Sequence, residues 1–95
     1  MKTANRFSKD MSRKLAIIEA LVFMPNPSMS DLCSTTGIPA VSIQRQLRDL
    51  RKNYLMRIEY TRALNTQWKD GYYAISNWGV LNEAKMLELL EDNNS

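Results

Sequence analysis

The stretch STTGIPAVSIQRQLRDLRK, residues 34–52, decides the predicted fold. A polar segment stops at Gly37, passes Pro39 and continues into a segment with four cationic side chains. Gly37 suits the left-handed position that ends a helix. Pro39 suits the first turn of a new helix, where its missing N–H costs no hydrogen bond. This connection is typical of the tight turn in a helix-turn-helix motif, so we predict two helices that meet at a steep angle.

The second of these helices, predicted over 39–53, has two chemically different faces. Ile43, Leu47 and Leu50 recur at helical spacing and predict a buried face. The opposite face carries the side chains expected to contact DNA, which are Val41, Ser42, Gln44, Arg45, Arg48 and Lys52. Arginine and glutamine hydrogen-bond to guanine and adenine edges in the major groove, and a valine can meet a thymine methyl group. The pattern therefore predicts a helix that enters the major groove of double-stranded DNA.

Two further helices are predicted upstream of the turn. Ser12 can cap the first, whose apolar residues have helical spacing, and Pro25 and Pro27 should end it. Ser30 can cap the second, which runs to Gly37. The first three elements are therefore expected to be helices packed as one small core.

The hydrophobic period changes downstream of Asn53. The segments 55–60 and 71–76 alternate apolar and polar residues, which predicts two strands of a hairpin. Ser76 or Asn77 can cap a last helix over 78–91. The order of three helices, a hairpin and a helix predicts an α+β fold that is mainly α.

Charge is distributed unevenly along the 95 residues. Residues 1–78 hold 12 Lys/Arg against 6 Asp/Glu, whereas residues 79–95 hold 1 against 4. A basic body with an acidic tail favours a surface for a polyanion and a separate use for the tail. The length is that of one small domain.

Several functional classes are disfavoured by what the chain lacks. It has no histidine, and Cys33 is its only cysteine, so an enzyme, a metal site and an intramolecular disulfide are not expected. No cofactor is expected either. No apolar run approaches the roughly 20 residues that span a bilayer. We therefore expect a cytoplasmic protein with no membrane partner.

From Ser12 to Gly79 the chain resembles the winged helix-turn-helix DNA-binding domain of bacterial transcriptional regulators, most closely the IclR type. The segment SMSDLCSTTGIP (28–39) is similar to that family's second helix and turn, and GYYAISNWGVL (71–81) resembles its wing end and following helix, as in MarR-like domains. The resemblance implies a three-helix core, a hairpin wing on the DNA backbone and a role as a repressor. It departs at Ala40 and Val41, where the family usually has polar residues.

The wing and the tail complete the predicted organisation. Arg62, Trp68 and Lys69 are expected at the hairpin tip against DNA, although Trp68 could instead fold back onto the domain. The predicted parts are a flexible basic arm over 1–11, the DNA-binding domain over 12–79, and a C-terminal helix and tail over 80–95. This last part is expected to form a homodimer through an apolar set, Val80, Leu81, Ala84, Leu87 and Leu90. The alternative is that the last helix packs on the first helix within a monomer.

One other function is kept as an alternative. Winged-helix domains also serve as protein–protein adaptors without binding DNA. The cationic, polar face of the helix over 39–53 favours DNA, whereas an apolar face would favour the adaptor.

Overall fold

Four helices and a two-stranded antiparallel hairpin make up the part of the chain that the computed structural model describes, residues 8–62 and 71–94. The elements are α1 (Lys9–Phe23), α2 (Met29–Thr36), α3 (Ala40–Asn53), β1 (Arg57–Thr61), β2 (Tyr72–Asn77) and α4 (Glu83–Asn94). This confirms the α+β, mainly helical class predicted from the sequence. Within these ranges, no helix has both the length and the apolar character needed to cross a membrane.

The first helix begins earlier than predicted. Its N-cap is Ser8, whose side chain accepts a hydrogen bond from the backbone N–H of Met11, so the expected cap at Ser12 is wrong. Residues 8–11 of the predicted arm therefore belong to the cap and first turn of α1, and residues 1–7 lie outside the described part. The helix ends at Phe23, as expected, because Met24 precedes Pro25 and takes an extended conformation.

The second helix and its turn follow from side-chain caps. The cap is Ser28 rather than the predicted Ser30, because Ser28 and Asp31 exchange hydrogen bonds between side chain and backbone in a capping box. Gly37 ends α2 as predicted, with φ of 74° and its N–H donating to the Cys33 carbonyl at 2.8 Å. The chain then enters α3 with Pro39 at the N-cap position.

The core lies where α3 meets α1 and α2. Ile43, Leu47 and Leu50 are buried, as the sequence predicts, and they belong to one cluster with residues of the other elements. The other members of this buried cluster are Ile17, Ile18, Ala20, Leu21, Leu32, Ile38, Met56, Ile58, Tyr73 and Leu90. Because α3 buries one face completely, its opposite face is held outward.

The hairpin packs against the helices by its apolar face. Ile58 pairs with Ile75 and Tyr60 with Tyr73, and the two tyrosine rings lie 4.8 Å apart between centroids. The N–H of Tyr73 also donates to the carbonyl of Pro27 at 2.9 Å. The loop between α1 and α2 is thereby bonded to β2, and this bond ties the hairpin to the helical core.

The last helix starts later than predicted. Residues 78–81 form a turn instead of helix, and Asn82 accepts a hydrogen bond from the backbone N–H of Lys85 at the start of α4. Gly79 explains the delay, because its φ of 62° is left-handed and the N–H of Val80 donates to the Tyr54 carbonyl at 2.9 Å. The expected caps at Ser76 or Asn77 are therefore wrong.

Candidate nucleic-acid interface

The outward face of α3 presents most of the residues predicted to contact DNA. Val41, Gln44, Arg45, Arg48 and Lys52 are all exposed, and Val41 is 77% exposed despite being apolar. Their exposure follows from the periodicity of α3, because Ile43, Leu47 and Leu50 occupy the buried face. The result is a polar and cationic ridge with one apolar side chain near its N-terminal end.

The N-terminal end of this ridge has one side-chain hydrogen bond and no side-chain helix cap. Ser42, which is half-buried, lies within 3.4 Å of the Arg45 guanidinium and accepts a hydrogen bond from it. Pro39 gives α3 no side-chain cap, so the backbone N–H groups of the first turn lack a capping side chain. The uncapped first turn leaves backbone N–H donors at the end of the helix that comes directly after the Gly37 turn.

Arg51 has a different use from its cationic neighbours. Its guanidinium donates two hydrogen bonds to the backbone carbonyl of Ile58, at 3.0 Å from Nε and 2.7 Å from Nη2. This bidentate contact joins the C-terminal half of α3 to β1, close to the register irregularity between Arg57 and Ile58. One of the four cations in the quoted stretch therefore fixes the hairpin to α3. The sequence gives no signal of this role, because Ile58 lies in β1 and helical periodicity within α3 says nothing about contacts with another element.

A polar cluster around the buried side chain of Lys14, behind the ridge, was not predicted. The Lys14 ammonium lies 2.5 Å from an oxygen of Asp10 and 2.8 Å from an oxygen of Asp49, and its side chain is only 4% exposed. Gln46 donates to the other oxygen of Asp10 at 2.7 Å. Asp49 is half-buried on the flank of the exposed ridge and faces α1. A lysine in the middle of an amphipathic helix resembles a solvated residue, so only the fold reveals its partners.

The charge states of this cluster follow from its contacts. The hydrogen bond from Lys14 holds the pKa of Asp10 below its usual value, and the bond from Gln46 lowers it further. Lys14 lowers the pKa of Asp49 in the same way, with a second contribution from Asn53. Burial works to lower the pKa of Lys14, but its bonds to the two carboxylates outweigh burial and raise it. At neutral pH the lysine is therefore protonated and both carboxylates are ionised.

The predicted wing is described only at its base. Arg62 is exposed just after β1, and Arg57 is exposed at the start of that strand. Trp68 and Lys69, the other predicted wing contacts, lie outside the described residues. Among residues that are described, no three acidic or cysteine side chains are grouped so as to hold a metal ion.

The residues predicted to form a dimer do not share one stripe. Leu90 is only 1% exposed and belongs to the core of the single chain, so its assignment as a dimer contact is wrong. Val80 precedes α4 and is 63% exposed, whereas Ala84 is exposed and Leu81 and Leu87 are half-buried. The sequence reasoning missed Met86, which is four residues before Leu90 and packs against the core with it.

Comparison of the chain with protein-family models, with curated proteins and with solved structures gives no match.

Proposed function

We propose that this protein is a winged helix-turn-helix regulator of transcription that binds double-stranded DNA in a sequence-specific manner. In this proposal α3 enters the major groove, and the hairpin of β1 and β2 is the wing that contacts the DNA backbone. The observation that carries it is the ridge on α3, where Gln44, Arg45, Arg48 and Lys52 are all exposed on the helix that follows the Gly37 turn.

The chemistry of the ridge supports DNA over other polyanions. Arg45 and Arg48 lie near the middle of α3 and can each donate two parallel hydrogen bonds to a guanine. Lys52 lies at the C-terminal end, where a phosphate contact is expected. No cofactor takes part, and the cytoplasm is the place where such a regulator meets its DNA.

Selection of bound sequences from a random duplex pool tests the proposal. A DNA-binding regulator enriches one short sequence, and its affinity for that sequence exceeds its affinity for random duplex. Arg45→Ala and Arg48→Ala should each cost roughly 1–3 kcal/mol on the selected sequence without lowering the melting temperature. Lys85→Ala is the matched control, because it removes one exposed cation from α4. Selection without enrichment, or equal losses in all three variants, would refute the proposal.

Homodimer formation is part of the same proposal. The remaining candidates for the dimer surface are Val80, Leu81, Ala84 and Leu87, because Leu90 is occupied in the core. A two-fold dimer would place two copies of α3 about 34 Å apart, one turn of DNA, and would select a palindrome. Sedimentation at micromolar concentration distinguishes this from a monomer that selects a single half-site.

A protein–protein adaptor is the second candidate. Leu55 and Val80 are each 63% exposed, and the Val80–Tyr54 hydrogen bond at 2.9 Å brings their two segments together. This apolar pair is small, but it is the feature that an adaptor would use. Leu55→Ser with Val80→Ser leaves the α3 ridge unchanged, so loss of a protein partner with DNA binding intact would favour the adaptor.

A further inference from the structure

Four polar side chains join α1 to α3 in a closed arrangement, which we call the α1–α3 brace. Asp10 and Lys14 lie four residues apart on α1, and Gln46 and Asp49 lie three residues apart on α3. Lys14 bonds to Asp49 at 2.8 Å, and Asp10 accepts from Gln46 at 2.7 Å, so two separate bridges cross between the helices. The Lys14–Asp10 pair closes the ring on the α1 side at 2.5 Å.

Two bridges one turn apart define an orientation that apolar packing alone leaves less constrained. Apolar burial is proportional to area and has no direction, whereas each bridge fixes a donor and an acceptor to a narrow range of distance and angle. Because Gln46 and Asp49 are both held, α3 cannot rotate about its axis without breaking a bridge. Arg45 and Arg48 are the residues immediately before them, so the direction of both guanidinium side chains depends on the brace.

The stability that the brace adds is a weak explanation for its polar chemistry. Only Lys14 loses its hydration, which costs stability, because its side chain is 4% exposed whereas those of Asp10 and Asp49 are 66% and 32% exposed. Within the described residues, the buried Oε1 of Gln46 has no hydrogen-bond partner, which is a further cost. The two buried members, Lys14 and Gln46, are therefore candidates for a role in fixing one arrangement of the two helices.

We propose that Lys14 is a positioning residue, which acts through Asp49 and Asp10 to hold α3 at the angle that lets Arg45 and Arg48 meet base edges. The inference rests on the proposed function for its effect on DNA, but the brace itself can be tested without DNA. Its loss should reduce discrimination between sequences and spare the phosphate contacts that every duplex offers.

The experiment breaks the Lys14–Asp49 bridge of the brace without leaving a buried charge unpaired, and it leaves the Gln46–Asp10 bridge in place. Lys14→Met with Asp49→Asn keeps the volume and the net charge. Lys9→Met with Glu19→Gln is the matched control, because it makes the same kinds of change at α1 residues that form none of the contacts of the brace. Residual dipolar couplings of the free protein measure the angle between α1 and α3, and affinities for the selected sequence and for random duplex give the discrimination ratio.

We expect the brace variant to change the angle between α1 and α3 and to lower the discrimination ratio by about tenfold, with random-duplex affinity within about twofold of the parent. The control should match the parent in both measurements. An unchanged angle with an unchanged ratio would overturn the proposal, and so would a parallel loss of both affinities with a lower melting temperature.

A second variant keeps the test decisive if the double variant does not fold. Asp10→Ala removes the oxygen that accepts the hydrogen bond from Gln46, at a side chain that is 66% exposed, and leaves Lys14 paired with Asp49. It should lower the discrimination ratio in the same direction by a smaller factor, and an unchanged ratio would count against the brace. If the parent protein prefers no sequence, the proposed function fails, and the angle measurement alone then decides whether the brace sets the orientation of α3.

Discussion

Two glycines with the same left-handed backbone should respond very differently to alanine. Gly37 has φ of 74° and Gly79 has φ of 62°, so alanine is strained at both positions. A Cβ at Gly37 would meet no atom within 4 Å. A Cβ at Gly79 would lie 2.2 Å from the Tyr54 carbonyl oxygen and 2.4 Å from the carbonyl carbon of Leu55. The pair therefore separates backbone strain from steric overlap within one protein.

The expected magnitudes follow from these distances. The left-handed conformation costs alanine about 1–2 kcal/mol, and the loss of freedom in the unfolded chain offsets about 0.4–1 kcal/mol of that. Gly37→Ala should therefore destabilise the protein by about 1 kcal/mol. Gly79→Ala adds an overlap that backbone atoms must relieve, which typically costs about 1–3 kcal/mol. It also strains the hydrogen bond from Val80 to Tyr54, worth about 1 kcal/mol.

Urea unfolding followed by far-ultraviolet circular dichroism measures the difference. We expect Gly79→Ala to reduce the free energy of unfolding by about 2–4 kcal/mol more than Gly37→Ala, with similar m-values for both variants. A protein of this length has about 5–14 kcal/mol of total stability, so the loss should be plain in the midpoint. Equal destabilisation by the two variants, to within about 0.5 kcal/mol, would refute the close approach of residue 79 to the end of α3.

Three further predictions follow from the core, the brace and the hairpin. Leu90→Ala should destabilise the single chain by about 2–5 kcal/mol in the same urea assay, because its side chain is buried in the core, whereas a pure dimer contact would show a loss that depends on protein concentration. The pKa values of Asp10 and Asp49 are lowered from 3.8, so the stability that these carboxylates add should be present above that pH and lost as the pH falls below it. The free energy of unfolding of an Asp10→Asn, Asp49→Asn variant should therefore decrease less at acidic pH than that of the parent. The raised pKa of Lys14 acts at the other end, where stability should fall as the pH rises beyond 10.5. Arg62→Ala should weaken binding to all duplexes alike. The slope of the logarithm of the binding constant against the logarithm of the salt concentration should become shallower by about one unit, and an unchanged slope would exclude a phosphate contact at Arg62.

The sequence was most informative where one residue type serves one local requirement. Gly37 was predicted at the end of a helix because the left-handed position suits glycine, and the structure confirms it. The buried face of α3 was predicted from the spacing of Ile43, Leu47 and Leu50, and that prediction is confirmed as well. The exposed positions of Arg45 and Arg48 follow from the same spacing, although their contact with DNA stays a prediction.

Helix starts were less well predicted because several residues can serve as caps. Ser8 and Ser12 are equally good N-caps by residue type, and so are Ser28 and Ser30. Which serine caps the helix depends on hydrogen bonds that form in the folded turn, such as the two bonds between side chain and backbone that Ser28 and Asp31 exchange. A sequence pattern identifies the candidates, and the backbone geometry selects among them.

The sequence by itself thus determined the order of elements, the helix-ending role of Gly37 and the two faces of α3, because each depends on neighbours within one or two turns. Only the tertiary structure decided the partners of Lys14, the use of Arg51 on the Ile58 carbonyl and the burial of Leu90. The physical reason is that a long charged side chain can lie either in water or in a buried site with a hydrogen-bond acceptor. For Lys14 and Arg51 an acceptor lies on a different element, so the sequence of their own helix does not identify it. Where the fold brings that acceptor within about 3 Å, the charged side chain forms a hydrogen bond that joins two elements of the structure.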